Sequence, residues 1–120
     1  MTDLTELREA YKIFRAMPYP DYPRTEELRD WNSDLLTLDG HIAGYAGRVA
    51  DGSLAAREVP RAPALAEEVE TLGRELEELR PSLPDEAGLV AEYRTYVAAL
   101  LRVIRALAAL ALPEDERPAR

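Results

Sequence analysis

The sequence predicts an all-α fold, an up-down-up-down bundle of four helices of unequal length. Prolines divide the chain into four segments, and in each segment apolar residues recur at steps of three and four. No alternating β-type run competes with this pattern, and mostly short connections favour antiparallel neighbours. With 120 residues, 47% of them hydrophobic, we expect one domain over residues 1–112 and a disordered tail over residues 113–120.

The first helix is predicted over residues 3–17. Asp3 and Glu6 have the spacing of a capping box, and one apolar stripe follows: Leu4, Leu7, Tyr11 and Phe14. Residues 18–24, PYPDYPR, end the helix because proline supplies no backbone donor. We call residues 18–24 the proline segment and expect it to be stiff and extended.

The second helix is predicted over residues 25–51, with Thr25 as its cap and Gly52 just beyond its end. Its stripe alternates steps of three and four without a miss: Leu28, Trp31, Leu35, Leu38, Ile42, Tyr45 and Val49. Three glycines lie inside this helix, and each should cost roughly 1 kcal/mol of helix propensity. We therefore expect these glycines to serve a close packing contact.

The third and fourth helices are predicted over residues 63–80 and 85–112. The third combines a narrow leucine stripe with six glutamates, whereas the fourth is apolar over a much wider arc. We therefore expect the fourth helix to be the most buried.

Composition excludes several classes of function. The chain has no cysteine and one histidine, which excludes disulfides, thiolate chemistry and any site needing two imidazoles. A net charge of −8 argues against nucleic-acid binding, and we expect no cofactor. The most apolar stretch, residues 89–112, carries four charged side chains, which argues against a membrane helix. Since the N-terminus also lacks the pattern of a signal peptide, we expect a cytoplasmic protein.

Helix lengths suggest where a partner binds. The first predicted helix spans roughly 21 Å and the second roughly 40 Å. The bundle should therefore lack part of one wall, leaving the second halves of helices two and four exposed. Two interpretations stay open: another helix packs there, or the first helix or the 52–64 loop covers the gap within the chain.

The favoured hypothesis is a non-enzymatic interaction or regulatory module that pairs helices, as a homodimer or with another helical protein. A strip of small residues on helix two would receive the apolar face of helix four, because small side chains let backbones approach closely. The predicted interface is Gly40, Ala43, Gly44, Gly47, Ala50, Leu101, Ile104 and Ala108.

A metal-dependent hydrolase is the first alternative. Carboxylates three or four residues apart on neighbouring helices could hold Mg²⁺, and the candidate ligands are Glu27, Asp30, Glu67 and Glu70. This spacing loosely resembles that of the all-α nucleotide pyrophosphohydrolases, with the order of the two acidic motifs reversed. The resemblance implies an enzyme that hydrolyses nucleotides.

A bundle that binds a small apolar ligand is the second alternative. Four aromatic residues on the core stripes could line a cavity between helices: Trp31, Tyr45, Tyr93 and Tyr96. His41 lies at the edge of the stripe of helix two, where it is a boundary residue, a general base or a haem ligand.

Overall fold

The computed structural model describes residues 4–111 and confirms the all-α prediction. Four helices pack against each other: α1 (Thr5–Ala16), α2 (Glu26–Ala50), α3 (Ala62–Leu79) and α4 (Ala87–Ala111). Short 3₁₀ turns cover Ala56–Glu58, Arg80–Ser82 and Pro84–Glu86, and residues 4–111 contain no strand. Asp3 of the predicted capping box and the predicted tail, residues 113–120, lie outside the described residues.

Neighbouring helices run antiparallel. Contacts between them pair rising residue numbers on one helix with falling numbers on the next, as in Arg8 to Ala50 and Tyr11 to Gly47, or Glu70 to Arg105 and Glu77 to Arg94. Helix α4 packs against all three other helices, and its wide apolar arc is buried at residues such as Tyr93, Leu100, Ile104 and Leu107. The sequence pattern of this helix therefore matches its central place.

The ends of α2 lie at the predicted residues, but the side chain of Thr25 does not cap the helix as predicted. Gly52 has a φ of 86°, the left-handed conformation that ends α2. Thr25 is the N-cap residue of α2, but its side chain makes no capping bond and its hydroxyl instead donates to Glu86. The carboxylate of Glu86 also accepts the backbone N–H groups of Arg24 and Thr25, at 3.0 and 2.9 Å.

The wall predicted to be missing is filled from within the chain. The proline segment lies along the first half of α2, where the Tyr19 hydroxyl donates to Asn32 at 2.5 Å. Because the proline segment occupies the first half of α2, helix α1 packs against the second half. There Arg8 Nε donates to the Ala50 carbonyl at 3.0 Å. The expectation of an exposed second half of α2 was therefore wrong on this side, and the intrachain interpretation holds.

The connection between α2 and α3 closes the end of the bundle. Val59 is buried, and Leu54 packs partly buried against the core, while the Ala56–Glu58 turn contacts α4. Within residues 4–111, no helix combines the length and apolar character needed to cross a bilayer.

Candidate functional site

A groove lies open on the surface between α2 and α3. It has a volume of about 600 Å³, within the range of small-molecule sites in proteins. Leu38, Leu65 and Leu72 form its apolar floor, and the last two are more than nine-tenths buried. The groove thus reaches down to the core between two helices that are held together beneath it.

Trp31 provides that connection. Its indole Nε1 donates to the backbone carbonyl of Leu72 at 2.8 Å, and its ring packs edge-on to Tyr93 with centroids 5.1 Å apart. Because the chain has one tryptophan and its indole contacts a residue of the groove floor, its fluorescence should respond to events in the groove.

The rim of the groove is acidic. Its carboxylates are Asp34, Glu67, Glu68 and Glu75. Arg61 pairs with Glu68, with Nη2 3.2 Å from Oε1, and both side chains are largely exposed. Across residues 4–111, the other three carboxylates make no ion pair. The rim therefore presents unneutralised negative charge to solvent.

Two further features lie at the same rim. Arg61 directly precedes α3 with a φ of 58°, which is the left-handed region and unusual for a residue with a side chain. His41 also lines the groove and is exposed. The described residues bring no group of three acidic or imidazole side chains together in a metal-binding arrangement.

The four carboxylates predicted to bind metal are not brought together. Glu70 pairs with Arg105 on the α4 side of α3, whereas Glu67 lines the groove on the α2 side. Glu27 accepts a bond from Ser82 near the opposite end of the bundle. In this glutamate-rich helix, spacings of three and four occur without bringing the side chains together. The structure therefore corrects the predicted metal site.

The predicted interface strip is divided by the packing of α1. An ideal Cβ on Gly47 would lie 2.7 Å from the Tyr11 hydroxyl, whereas Cβ atoms on Gly40 and Gly44 would meet nothing within 4 Å. Gly47 therefore serves the contact between α1 and α2, and Ala50 lies at the same contact through its carbonyl. Only Gly40 and Gly44 remain open to a second molecule.

The apolar side of the predicted interface is also largely occupied. Ile104 is fully buried, which corrects its assignment to an exposed face. Ala43, Leu101 and Ala108 are half-buried and pack against the core. Most of the wide apolar arc of α4 reflects its contacts with three helices, while Leu101 borders an open depression together with Ala98 and Ala106.

The aromatic residues fill the interior instead of lining a cavity. Tyr19, on the proline segment, packs against Tyr93 and Tyr96 with ring centroids 6.0 and 4.9 Å apart. The hydroxyl of Tyr96 donates to Asp39 at 2.6 Å, and that of Tyr93 donates to the Asp21 carbonyl at 3.0 Å. Trp31 is part of the same packed cluster, while Tyr45 is half-buried on α2. These contacts support a structural role.

Burial changes the acidity of these phenols. Desolvation raises the pKa of Tyr93 to about 12. Desolvation, strengthened by the hydrogen bond to Asp39, raises the pKa of Tyr96 well above its usual value. Both hydroxyls therefore remain protonated donors at physiological pH, as their structural bonds require.

Sequence reasoning missed two buried polar residues. Asn32 is 1% exposed and Glu86 is 7% exposed, and each receives donors from the proline segment or from Thr25 just after it. The backbone N–H of Arg24 is the main reason that the pKa of Glu86 lies below its usual value. Asn32 sits between Trp31 and Ser33 in the helical pattern, and only its place beside the Trp31 stripe could have indicated burial.

Comparison with known proteins found no matching family model, no matching curated protein and no matching solved structure.

Proposed function

We propose that this chain is a non-catalytic interaction module that binds a helix of another polypeptide in the groove between α2 and α3. The open groove carries the proposal, because its apolar floor is accessible from solvent, whereas α1 and the proline segment cover another side of α2. An amphipathic helix places apolar anchors along such a groove at steps of three and four. The leucine floor supplies the matching apolar surface.

A pair of matched variants tests this proposal. Thr71 and Thr95 are both exposed helical threonines whose hydroxyls donate to the carbonyl four residues earlier. Thr71 lines the groove, whereas Thr95 lies on α4. We expect Thr71→Phe to weaken binding of amphipathic helical peptides, and Thr95→Phe to leave it unchanged.

The measurement is Trp31 fluorescence, titrated with peptides that share one leucine pattern and lack tryptophan. Their remaining positions carry Lys, Gln or Glu, giving basic, neutral and acidic versions. Saturable binding by any version, weakened by Thr71→Phe alone, supports the proposal. Absence of binding by all three, or equal effects of both variants, would contradict it.

A second candidate is self-association through the outer face of α2. Leu36 is 46% exposed, and Gly40 and Gly44 follow it at steps of four with open space above them. A leucine from a second copy could pack over these glycines. Light scattering should then give a molar mass near twice 13.4 kDa, and Gly44→Leu should return it to the monomer value while helical circular dichroism persists. A wild-type monomer at micromolar concentration would exclude this dimer.

A further inference from the structure

We infer that the helix bound in the α2–α3 groove is a basic amphipathic helix supplied by a different protein. The inference rests on the proposed function and adds the chemistry of the partner. It depends on the charge of the groove rim, on the length of the groove, and on the charges of the helices that a second copy of this chain would supply.

The rim charge selects a cationic ligand. Asp34 lies on the α2 wall, and Glu67 and Glu75 lie on the α3 wall, all without an ion pair in the described chain. A helix with lysine or arginine on both flanks of its apolar stripe would place cations against both walls. Such complementarity raises the association rate and rejects acidic competitors.

The length of the groove sets the length of the ligand. Along α3 the lining runs from Arg61 to Glu75, which at 1.5 Å per residue corresponds to roughly 21 Å. A bound helix of about 15 residues therefore follows α3 along the groove and places apolar anchors over Leu65 and Leu72, with the α2 wall facing it from Asp34 to His41, roughly 10 Å.

A second copy of this chain is a poor source of that helix, because α1, with three basic and two acidic residues, already buries its apolar face, Leu7, Ala10 and Phe14, within its own bundle. Helix α3 carries six glutamates and one arginine, a net charge of −5, and α2 carries five acidic residues and two arginines, a net charge of −3. The arginines of α4 are already paired within the chain, Arg94 with Glu77, Arg102 with Glu6 and Arg105 with Glu70. Docking of α4 into the groove of another copy would also be head-to-tail, which leads to open-ended chains unless the arrangement closes.

Charge reversal within and outside the groove tests the inference. The groove variant is Glu67→Lys/Glu75→Lys, and the matched control is Glu78→Lys/Glu92→Lys. All four residues are exposed, and both variants change the net charge by the same amount. Any loss common to both reports long-range attraction, and the excess loss in the groove variant reports local contacts.

The three peptides described above distinguish this inference from the proposed function. We expect the lysine peptide to bind more tightly than the glutamine peptide, and the glutamate peptide to bind most weakly. The groove variant should lower the affinity for the lysine peptide by about tenfold or more, and the control variant should lower it by about threefold or less. Amide shifts in a nuclear magnetic resonance titration should cluster on the facing sides of α2 and α3.

Each outcome has a definite meaning. Equal affinity of the glutamine and lysine peptides, lost in Thr71→Phe, would overturn the basic partner and leave the helix-binding function intact. Equal losses in the groove and control variants would overturn the assignment of the rim as the recognition element. Failure of every peptide would overturn both proposals.

Discussion

The two sides of α2 are closed in different ways. On one side, α1 and the proline segment seal the helix through aromatic packing and a few directed bonds, such as that from Tyr19 to Asn32. On the other side, the buried indole of Trp31 joins α2 to α3, and above it carboxylates line both walls of the open groove. The difference teaches that aromatic packing and buried hydrogen bonds cover one side of α2, whereas the α3 side combines a buried connection with carboxylates that remain exposed to solvent.

The largest effect on the closed side is expected at Glu86. Glu86→Ala leaves the N–H groups of Arg24 and Thr25 without their acceptor, which should lower the free energy of unfolding by about 2–4 kcal/mol. Urea unfolding followed by circular dichroism measures this change. Glu92→Ala, at an exposed position of α4, is the control and should stay within about 0.5 kcal/mol. Similar losses in both variants would show that Glu86 does not connect the turn before α4 to the end of the proline segment.

Measuring the free energy of unfolding over a range of pH tests whether the ionised carboxylate of Glu86 provides this stabilisation. The pKa of Glu86 is lower in the folded chain than its usual value, chiefly because the backbone N–H of Arg24 donates to it. Its stabilising contribution is therefore fully present above the unfolded pKa and is lost as the pH falls through the folded pKa. The difference in unfolding free energy between wild type and Glu86→Gln should shrink on acidification from pH 7 to pH 3. A constant difference would mean that ionisation of Glu86 does not contribute.

Tyr19 is expected to have the next effect. Tyr19→Phe keeps the aromatic packing but leaves the buried Asn32 side chain without its donor, at a cost of about 1–2 kcal/mol. Tyr22 lies on the same segment with 70% of its surface exposed, so Tyr22→Phe should change stability by less than about 0.5 kcal/mol. Chemical denaturation of both variants makes the comparison, and equal effects would remove Tyr19 from the closing contacts.

The order of helices could be predicted from the sequence because periodicity and proline positions are local signals. Gly52 ended α2 as expected for the same reason. The path of the proline segment could not be predicted, since it depends on Asn32 and Glu86, polar residues that are distant from it in sequence and whose bonding partners no local pattern indicates. This path shifted α1 along α2 and so decided which glycines remained open.

The candidate site was also hidden from sequence reasoning. Asp34, Glu67 and Glu75 are ordinary exposed residues of two helices, and only their placement on facing walls creates a groove. The predicted carboxylate set failed because it combined residues from different faces and different ends of the bundle, as the separate partners of Glu27 and Glu70 show.

The smallest expected effect concerns the glycines of α2. Gly44→Ala should raise the free energy of unfolding by up to about 1 kcal/mol, because it improves helix propensity and its Cβ meets nothing within 4 Å. Gly47→Ala should gain less or lose stability, because its Cβ would lie 2.7 Å from the Tyr11 hydroxyl and displace it.

Removing that hydroxyl separates the two contributions. In the background of Tyr11→Phe, the nearest remaining ring atom lies 3.3 Å from the added Cβ, so Gly47→Ala should regain much of the stabilisation seen at Gly44. Thermal and urea unfolding of the four variants form a double-mutant cycle. Equal gains at Gly44 and Gly47 in the wild-type background would show that α1 does not press on α2 at this point. The wall covering the second half of α2 would then be looser than the seal made by the proline segment.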